Sequence, residues 1–228
     1  MSDKNQAADF STILGAAVHD MKNSLWLLLQ NIEEVAADLE GSPAARSLAD
    51  IQYEAQRLNT GLVQLLSLYR NEQDALPVNL EEQFIDELVE ELIAENEFYA
   101  KRHNIELQHS VEAGLTCFMD KSLITVLLQD VVINGLRYAR SKVTIEASRE
   151  QSSGMLLLRV SDDGEGYPPA MLNTQHQMAT ADISSGRTGL GLYFAHRIAS
   201  AHVRQQGCGQ ITLQNSSQGG SVFELRLP

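Results

Sequence analysis

His19, Asp20 and Asn23 lie close together in a stretch whose apolar residues recur at helical spacing. Leu14, Val18, Met21, Leu25, Leu28, Ile32, Val35 and Leu39 alternate steps of four and three, which is a heptad seam. With Val18 at position a, His19 falls at b, Asp20 at c and Asn23 at f. All three face away from the seam, and Asn23 lies one turn from His19. An imidazole held there on a rigid helix is open to approach by another domain. The neighbouring carboxylate can take the proton from one ring nitrogen and leave the other free to attack an electrophile. Taken alone, the same histidine reads more simply as a solvated surface residue.

A second group sits far downstream. Asp162-Asp163-Gly164-Glu165-Gly166 follows a strand-like alternation. A D-x-G-x-G turn lets backbone approach a planar ligand closely, and its first carboxylate can accept from an exocyclic amine. Gly186-Arg187-Thr188-Gly189-Leu190-Gly191-Leu192 then opens a helical pattern. Glycines in that place let backbone N–H groups and the helix N-terminus cradle phosphates. Between the first histidine and these turns, Asp130, Asn134, Arg137 and Tyr138 share one face of a predicted helix. Each of these signals is weak by itself; a polar stripe on a half-buried helix needs no function, and glycine-rich turns are common.

The elements that must hold these residues change character near residue 75. Ahead of it, Gly41-Ser42-Pro43 stops the first helix, and Leu48, Ile51, Ala55, Leu58, Leu62, Leu65 and Tyr69 form a second seam. Two long helices joined by a short turn predict an antiparallel hairpin over residues 1–73. Leu25-Trp26-Leu27-Leu28-Leu29 wraps apolar surface around the first helix, more than one hairpin covers. Each large side chain left in water costs roughly 1.5–3 kcal/mol, so the pattern predicts a homodimer with a four-helix bundle.

Residues 74–77 are the expected linker, and 78–228 the second domain. There the patterns predict a strand near 78–80, a helix over 81–101, and strands over 105–109 and 115–118. A helix over 121–139, strands over 142–148 and 156–162, and a polar stretch over 168–187 follow. A helix over 189–202 and strands over 210–214 and 222–227 complete an α/β sandwich. The expected fold class is therefore α plus α/β: a helical hairpin forming a dimeric bundle, then the sandwich.

Composition narrows the partners. Of 228 residues, 43% are apolar, enough for a sizeable core, and 17 Lys and Arg stand against 30 Asp and Glu, a formal charge of −13. So acidic a chain repels nucleic acid and anionic membrane surfaces, though a nucleotide can still bind where local donors and a metal outweigh the global field. Cys117 and Cys208 stand far apart in no metal or redox spacing, as expected of a reduced, cytoplasmic protein. No apolar run reaches the roughly 18 residues of a membrane span, and the start lacks signal-peptide character. His103, His109, His196 and His202 fit no metal-ligand spacing, and His176 reads as a loop residue.

Taken together, the motifs resemble the kinase core of two-component sensor histidine kinases. His19-Asp20-Met21-Lys22-Asn23 resembles the H box. Residues 127–138 look like the N box on its helix. The two glycine motifs are similar to the glycine boxes of the Bergerat-fold ATPases, the superfamily of gyrase, the chaperone ATPases and the histidine kinases. Residues 219–228 look like that family's terminal strand. The resemblance implies ATP and Mg²⁺ as cofactors. It assigns the phosphoaccepting nucleophile to His19, aided by Asp20, and the positioning of water in the reverse phosphatase reaction to Asn23. It assigns metal coordination to Asn134, phosphate contact to Arg137, a place near the nucleotide to Tyr138, and recognition of the adenine amine to Asp162. Asp130, Gly164, Gly166, Arg187, Gly189 and Gly191 complete the implied ATP site. The implied partners are a response regulator receiver domain and a second copy of the chain, with room for a separate sensor protein.

The chain departs from the family pattern at named positions. Ser24 stands where the family usually has Pro. Asp130 replaces an Asn, an acid that either activates water or adds a metal contact. Arg187 replaces the first glycine of the second box, and no Phe occurs in 168–187. These departures keep two other readings open: a phosphotransfer relay with a degenerate ATP-binding domain, and a binder that sequesters a partner through the Trp26 region.

Overall fold

A computed structural model describes residues 76–174, 189–205 and 207–228, together with 21, 23–25, 27–32, 35, 44, 47, 48, 50–55, 58 and 61. The chain divides into two compact units, Met1–Leu76 and Pro77–Pro228. His19, Asp20, Arg187 and the turn at 41–43 lie outside the described residues.

In the first unit every described residue before 62 is helical. The first seam splits into two rows. At its a positions, Leu25 is half-buried and Ile32 buried; at its d positions, Met21, Leu28 and Val35 are exposed. The second seam behaves alike, with Ala55 buried while Ile51 and Leu58 are exposed. Exposure of these five outward residues runs from 44% to 61%, so they form apolar rows that the single chain leaves in water.

The second unit is built on a five-stranded sheet. Its elements, in order, are β1 (Glu81–Phe84), α1 (Ile85–Arg102), β2 (Glu106–Val111), β3 (Thr116–Met119), α2 (Lys121–Tyr138), β4 (Lys142–Arg149) and β5 (Leu156–Asp162). They continue with α3 (Pro169–Thr174), α4 (Gly189–Ala201), β6 (Val203–Arg204), β7 (Gly207–Cys208), β8 (Gln210–Asn215) and β9 (Ser221–Leu227). The main sheet runs β2-β4-β5-β9-β8, with β2 and β4 parallel and the other pairs antiparallel. β1 pairs with β3 and β6 with β7 in two small ribbons.

Alternation explains the layering. Val143, Ile145 and Ala147 of β4, Leu156, Leu158 and Val160 of β5, and Phe223, Leu225 and Leu227 of β9 are all buried. They face one layer of helices: α1 packs on β2, α2 on β4 and β5, and α4 on β8 and β9. The opposite face carries charge instead. There Arg159 pairs with Glu224 at 2.7 Å and Glu146 at 3.5 Å, and Arg226 pairs with Glu224 at 2.9 Å.

The first predicted strand is misplaced by three residues. β1 occupies Glu81–Phe84 rather than 78–80, and the helix accordingly begins at Ile85 rather than 81. Glu81, Glu82 and Gln83 pair with Met119, Phe118 and Cys117, so cross-strand pairing makes a strand of an acidic segment that reads as the start of a helix. The polar stretch after 168 begins with the short helix α3. Among the described residues, no helix is long and apolar enough to cross a membrane. Both cysteines are free, Cys117 buried and Cys208 exposed.

Candidate functional site

α2 is the element that brings most of the polar candidates forward. Asp120 caps it, with Oδ1 accepting from Leu123 N–H at 3.1 Å and Oδ2 from Asn79 N–H at 3.0 Å. One face, with Ile124, Leu128, Val132 and Leu136, is buried in the core. A mutual amide pair holds it to α1: Asn96 donates to Gln129 Oε1 at 3.0 Å, and Gln129 donates back at 3.3 Å. The last two turns then project Asn134, Arg137 and Tyr138, all exposed, with Asp130 half-buried one turn earlier. The Arg137 guanidinium lies over the Tyr138 ring, 5.6 Å from its centroid. Arg140 and Lys142 are exposed just beyond this end of α2.

The turn after β5 meets that end of α2 directly. A Cβ on Gly164 would lie 2.2 Å from the Tyr138 carbonyl oxygen, so only glycine permits the approach. Asp162, at the end of β5, has its carboxylate fixed from two sides. Oδ1 accepts from Gly164 N–H at 2.7 Å and Ser221 N–H at 3.3 Å, and Oδ2 accepts from the Ser221 hydroxyl. A carboxylate offers about four lone-pair directions, so one so anchored keeps acceptor capacity for a ligand's amine. Gly220 makes the arrangement possible: its φ is +91°, and a Cβ there would fall 1.8 Å from the Asp162 carbonyl oxygen.

Asp163 turns the other way. It accepts from the backbone N–H groups of Arg140 (2.8 Å), Ser141 (3.0 Å) and Lys142 (3.1 Å), and from the Ser141 hydroxyl at 2.6 Å. Burial pushes its pKa up, but these hydrogen bonds, led by the Ser141 hydroxyl, outweigh that and hold the carboxyl well below the usual range. Just past the turn, the Asn215 side chain acts as a short strand. Its Oδ1 accepts from Tyr167 N–H at 2.7 Å and its Nδ2 donates to the Tyr167 carbonyl at 3.0 Å. The Tyr167 phenol is pushed up to about 12, by burial above all, with Ser221 working against the shift and the Asp162 charge adding to it.

α4 starts at Gly189, has Gly191 in its first turn, and packs against α2. The structure therefore joins the end of α2, carrying Asn134, Arg137 and Tyr138, to the turn carrying Asp162, Gly164 and Gly166. It places Gly189 and Gly191 on the helix packed beside them. Asn23 is exposed in the first unit. Sequence reading gave no role to Asp163, Asn215 or Ser221. The signals available were an acid inside the glycine turn and the glycine pair ahead of Ser221.

The donor set suits a metal that arrives with phosphates. Among the described residues no cluster of three or more His, Cys, Asp or Glu could hold an ion. Mg²⁺ keeps several waters and takes one or two protein oxygens besides substrate phosphates, which one exposed Asn134 amide oxygen can supply.

Residues 119–228 match the family model described as histidine kinase-, DNA gyrase B-, and HSP90-like ATPase. Over 94% of its length the chain is 25% identical to the sensor histidine kinase SpaK of Bacillus subtilis, covering 47% of that protein. Over 96% it is 28% identical to the sensor protein kinase PilS of Pseudomonas aeruginosa, covering 40% of it. The chain thus spans about half the length, or less, of these curated relatives. Among solved structures, full-length ShkA in complex with AMPPNP superposes with a TM-score of 0.64 at 20% identity, covering 95% of this chain and 45% of that one. The catalytic domain of histidine kinase ThkA superposes with a TM-score of 0.54 at 21% identity, covering 66% and 96%. Both share the fold. The match over residues 119–228 and the likeness to sensor kinases over nearly the whole chain together support a two-component histidine kinase core.

Proposed function

We propose that the chain is an ATP-dependent protein-histidine kinase that phosphorylates itself on His19 and passes the phosphoryl group to an aspartate of a separate response regulator. The observation that carries the nucleotide half is the Asp162 carboxylate, fixed by Gly164 and Ser221 beside the end of α2. In this reading Asp162 accepts from the adenine amine, and Gly164 and Gly166 let the base approach the turn. Gly189 and Gly191 contact the phosphates from the start of α4, Arg187 adds a cation to them, and Arg137 meets them from α2. Asn134 would hold a Mg²⁺ ion arriving with the nucleotide, which would supply neutralisation of charge on the transferring group.

One ring nitrogen of His19 forms the bond to the γ-phosphorus while the bond to the bridging oxygen breaks and ADP leaves. Asp20 takes the proton from the other ring nitrogen. Asn23, exposed in the first unit, positions water for dephosphorylation of the regulator. The exposed d-position row of Met21, Leu28 and Val35 supports a homodimer, because a second copy buries what one chain leaves open. The cytoplasm is the expected compartment.

Incubating purified protein with γ-labelled ATP and Mg²⁺ tests the reading. Label stable to alkali and lost in acid is expected. Absence of ATP binding would favour the relay or the sequestering module, and loss of function on changing His19 separates the relay from the sequestering module.

A further inference from the structure

The two neighbouring acids of the glycine turn point to opposite sides, and only Asp162 has a place in the reaction proposed above. We infer that Asp163 is a positioning residue for the nucleotide: it fixes the end of α2, with Asn134, Arg137 and Tyr138, at a set distance from Asp162. This inference rests on the ATP reading of the site and concerns what aligns its two halves.

The geometry is a clamp. The Asp163 carboxylate takes three consecutive backbone N–H groups and one hydroxyl from residues 140–142, the segment joining α2 to β4. The stitching runs both ways, since Asp163 N–H donates to the Lys142 carbonyl at 3.3 Å. On the other side of the segment, Tyr138 closes against Gly164 with no room for a side chain. Asp162 cannot move without Asp163, and Asp163 cannot move without the turn that ends α2. A ligand touching Asp162 with its base and Arg137 or Asn134 with its phosphates gains from both only if that spacing holds. The clamp is a carboxylate at neutral pH, and its depressed pKa keeps these charge-assisted bonds intact well into acid.

A role limited to stability predicts something different. It would lower the unfolding midpoint yet leave nucleotide affinity of the folded protein alone, or weaken base and phosphate contacts equally. Calorimetric titration of the full chain with Mg²⁺·AMPPNP and, separately, with adenosine distinguishes the two, at temperatures where each variant is folded. The expected result for Asp163→Ala is a loss of about 10–100-fold for AMPPNP, the scale of an ångström-sized misplacement, with adenosine affinity nearly unchanged. Asp163→Asn keeps an acceptor for the amides and should restore part of the loss. Ser141→Ala removes only the hydroxyl and should show a smaller loss of the same kind, which keeps the test open should Asp163→Ala fail to fold. Unchanged affinity for both ligands, or equal weakening of both, overturns the inference. Failure of the unmodified protein to bind AMPPNP overturns the ATP reading itself, and the inference with it.

Discussion

His202 Nε2 accepts the backbone N–H of Asp120 at 3.1 Å, while its Nδ1 donates to the Ile198 carbonyl at 2.7 Å. The imidazole is 1% exposed and joins the end of α4 to the cap of α2, so both helices of the site hang on a neutral ring. Burial lowers its pKa, against opposing contributions from the Ile198 carbonyl and the Asp120 charge. A proton on Nε2 would leave it no lone pair to accept with. Because the unfolded chain binds that proton near the ordinary pKa of about 6.5 and the folded chain does not, stability falls as pH drops below that value. The slope from this one residue reaches at most about 1.4 kcal/mol per pH unit. Urea unfolding at pH 8, 7, 6 and 5 should show the excess slope in the unmodified protein and its absence in His202→Gln. Identical slopes would remove His202 as the cause.

Gly219 and Gly220 both have positive φ, +95° and +91°, but only Gly220 lies against the Asp162 backbone. Gly219→Ala should therefore cost about 1 kcal/mol, the strain of the left-handed backbone alone. Gly220→Ala must also displace β5 or β9 and should cost more than about 3 kcal/mol, with loss of ATP binding. Denaturant midpoints for the two variants check the difference; equal costs would contradict the close approach.

Asn215→Ala removes both bonds to the Tyr167 backbone and leaves that N–H and carbonyl to water. A loss of about 1–3 kcal/mol is expected, together with faster amide exchange at Tyr167. Unchanged exchange at that residue would show that the clamp does not hold the turn.

Leu28→Glu places a charge in the exposed d-position row, where a second copy is expected to pack. The variant should be a helical monomer by light scattering at micromolar concentration, while the unmodified protein is a dimer. A monomeric unmodified protein would defeat the bundle.

Much of the second unit was legible because its patterns are local. Alternation in 142–148 and 156–162 and helical periodicity in 121–139 lie within a residue of β4, β5 and α2. Asp162, Gly164 and Gly166 were legible because glycines at fixed spacing limit what a turn can do. Asp163, Ser221 and Asn215 were not, because their partners are 22, 59 and 48 residues away and nothing local marks the contact. β1 was misplaced for the same reason: β3 makes it a strand, not its own alternation. The two-residue strands β6 and β7 are too short for any period to show. The heptad seam was read as one face, whereas its a and d rows differ in burial, which depends on what packs beside them.

Labelling of His19→Ala tests the central claim most directly. The unmodified protein, incubated with γ-labelled ATP and Mg²⁺, should acquire label that survives alkali and is lost in acid, as a phosphohistidine does. Asp20→Asn should acquire the same label about 10²–10⁴-fold more slowly, the usual worth of a positioned general base, with nearly unchanged ATP affinity. His19→Ala should bind ATP as before and acquire no label at all. Label persisting in His19→Ala, or label stable in acid, would contradict the account.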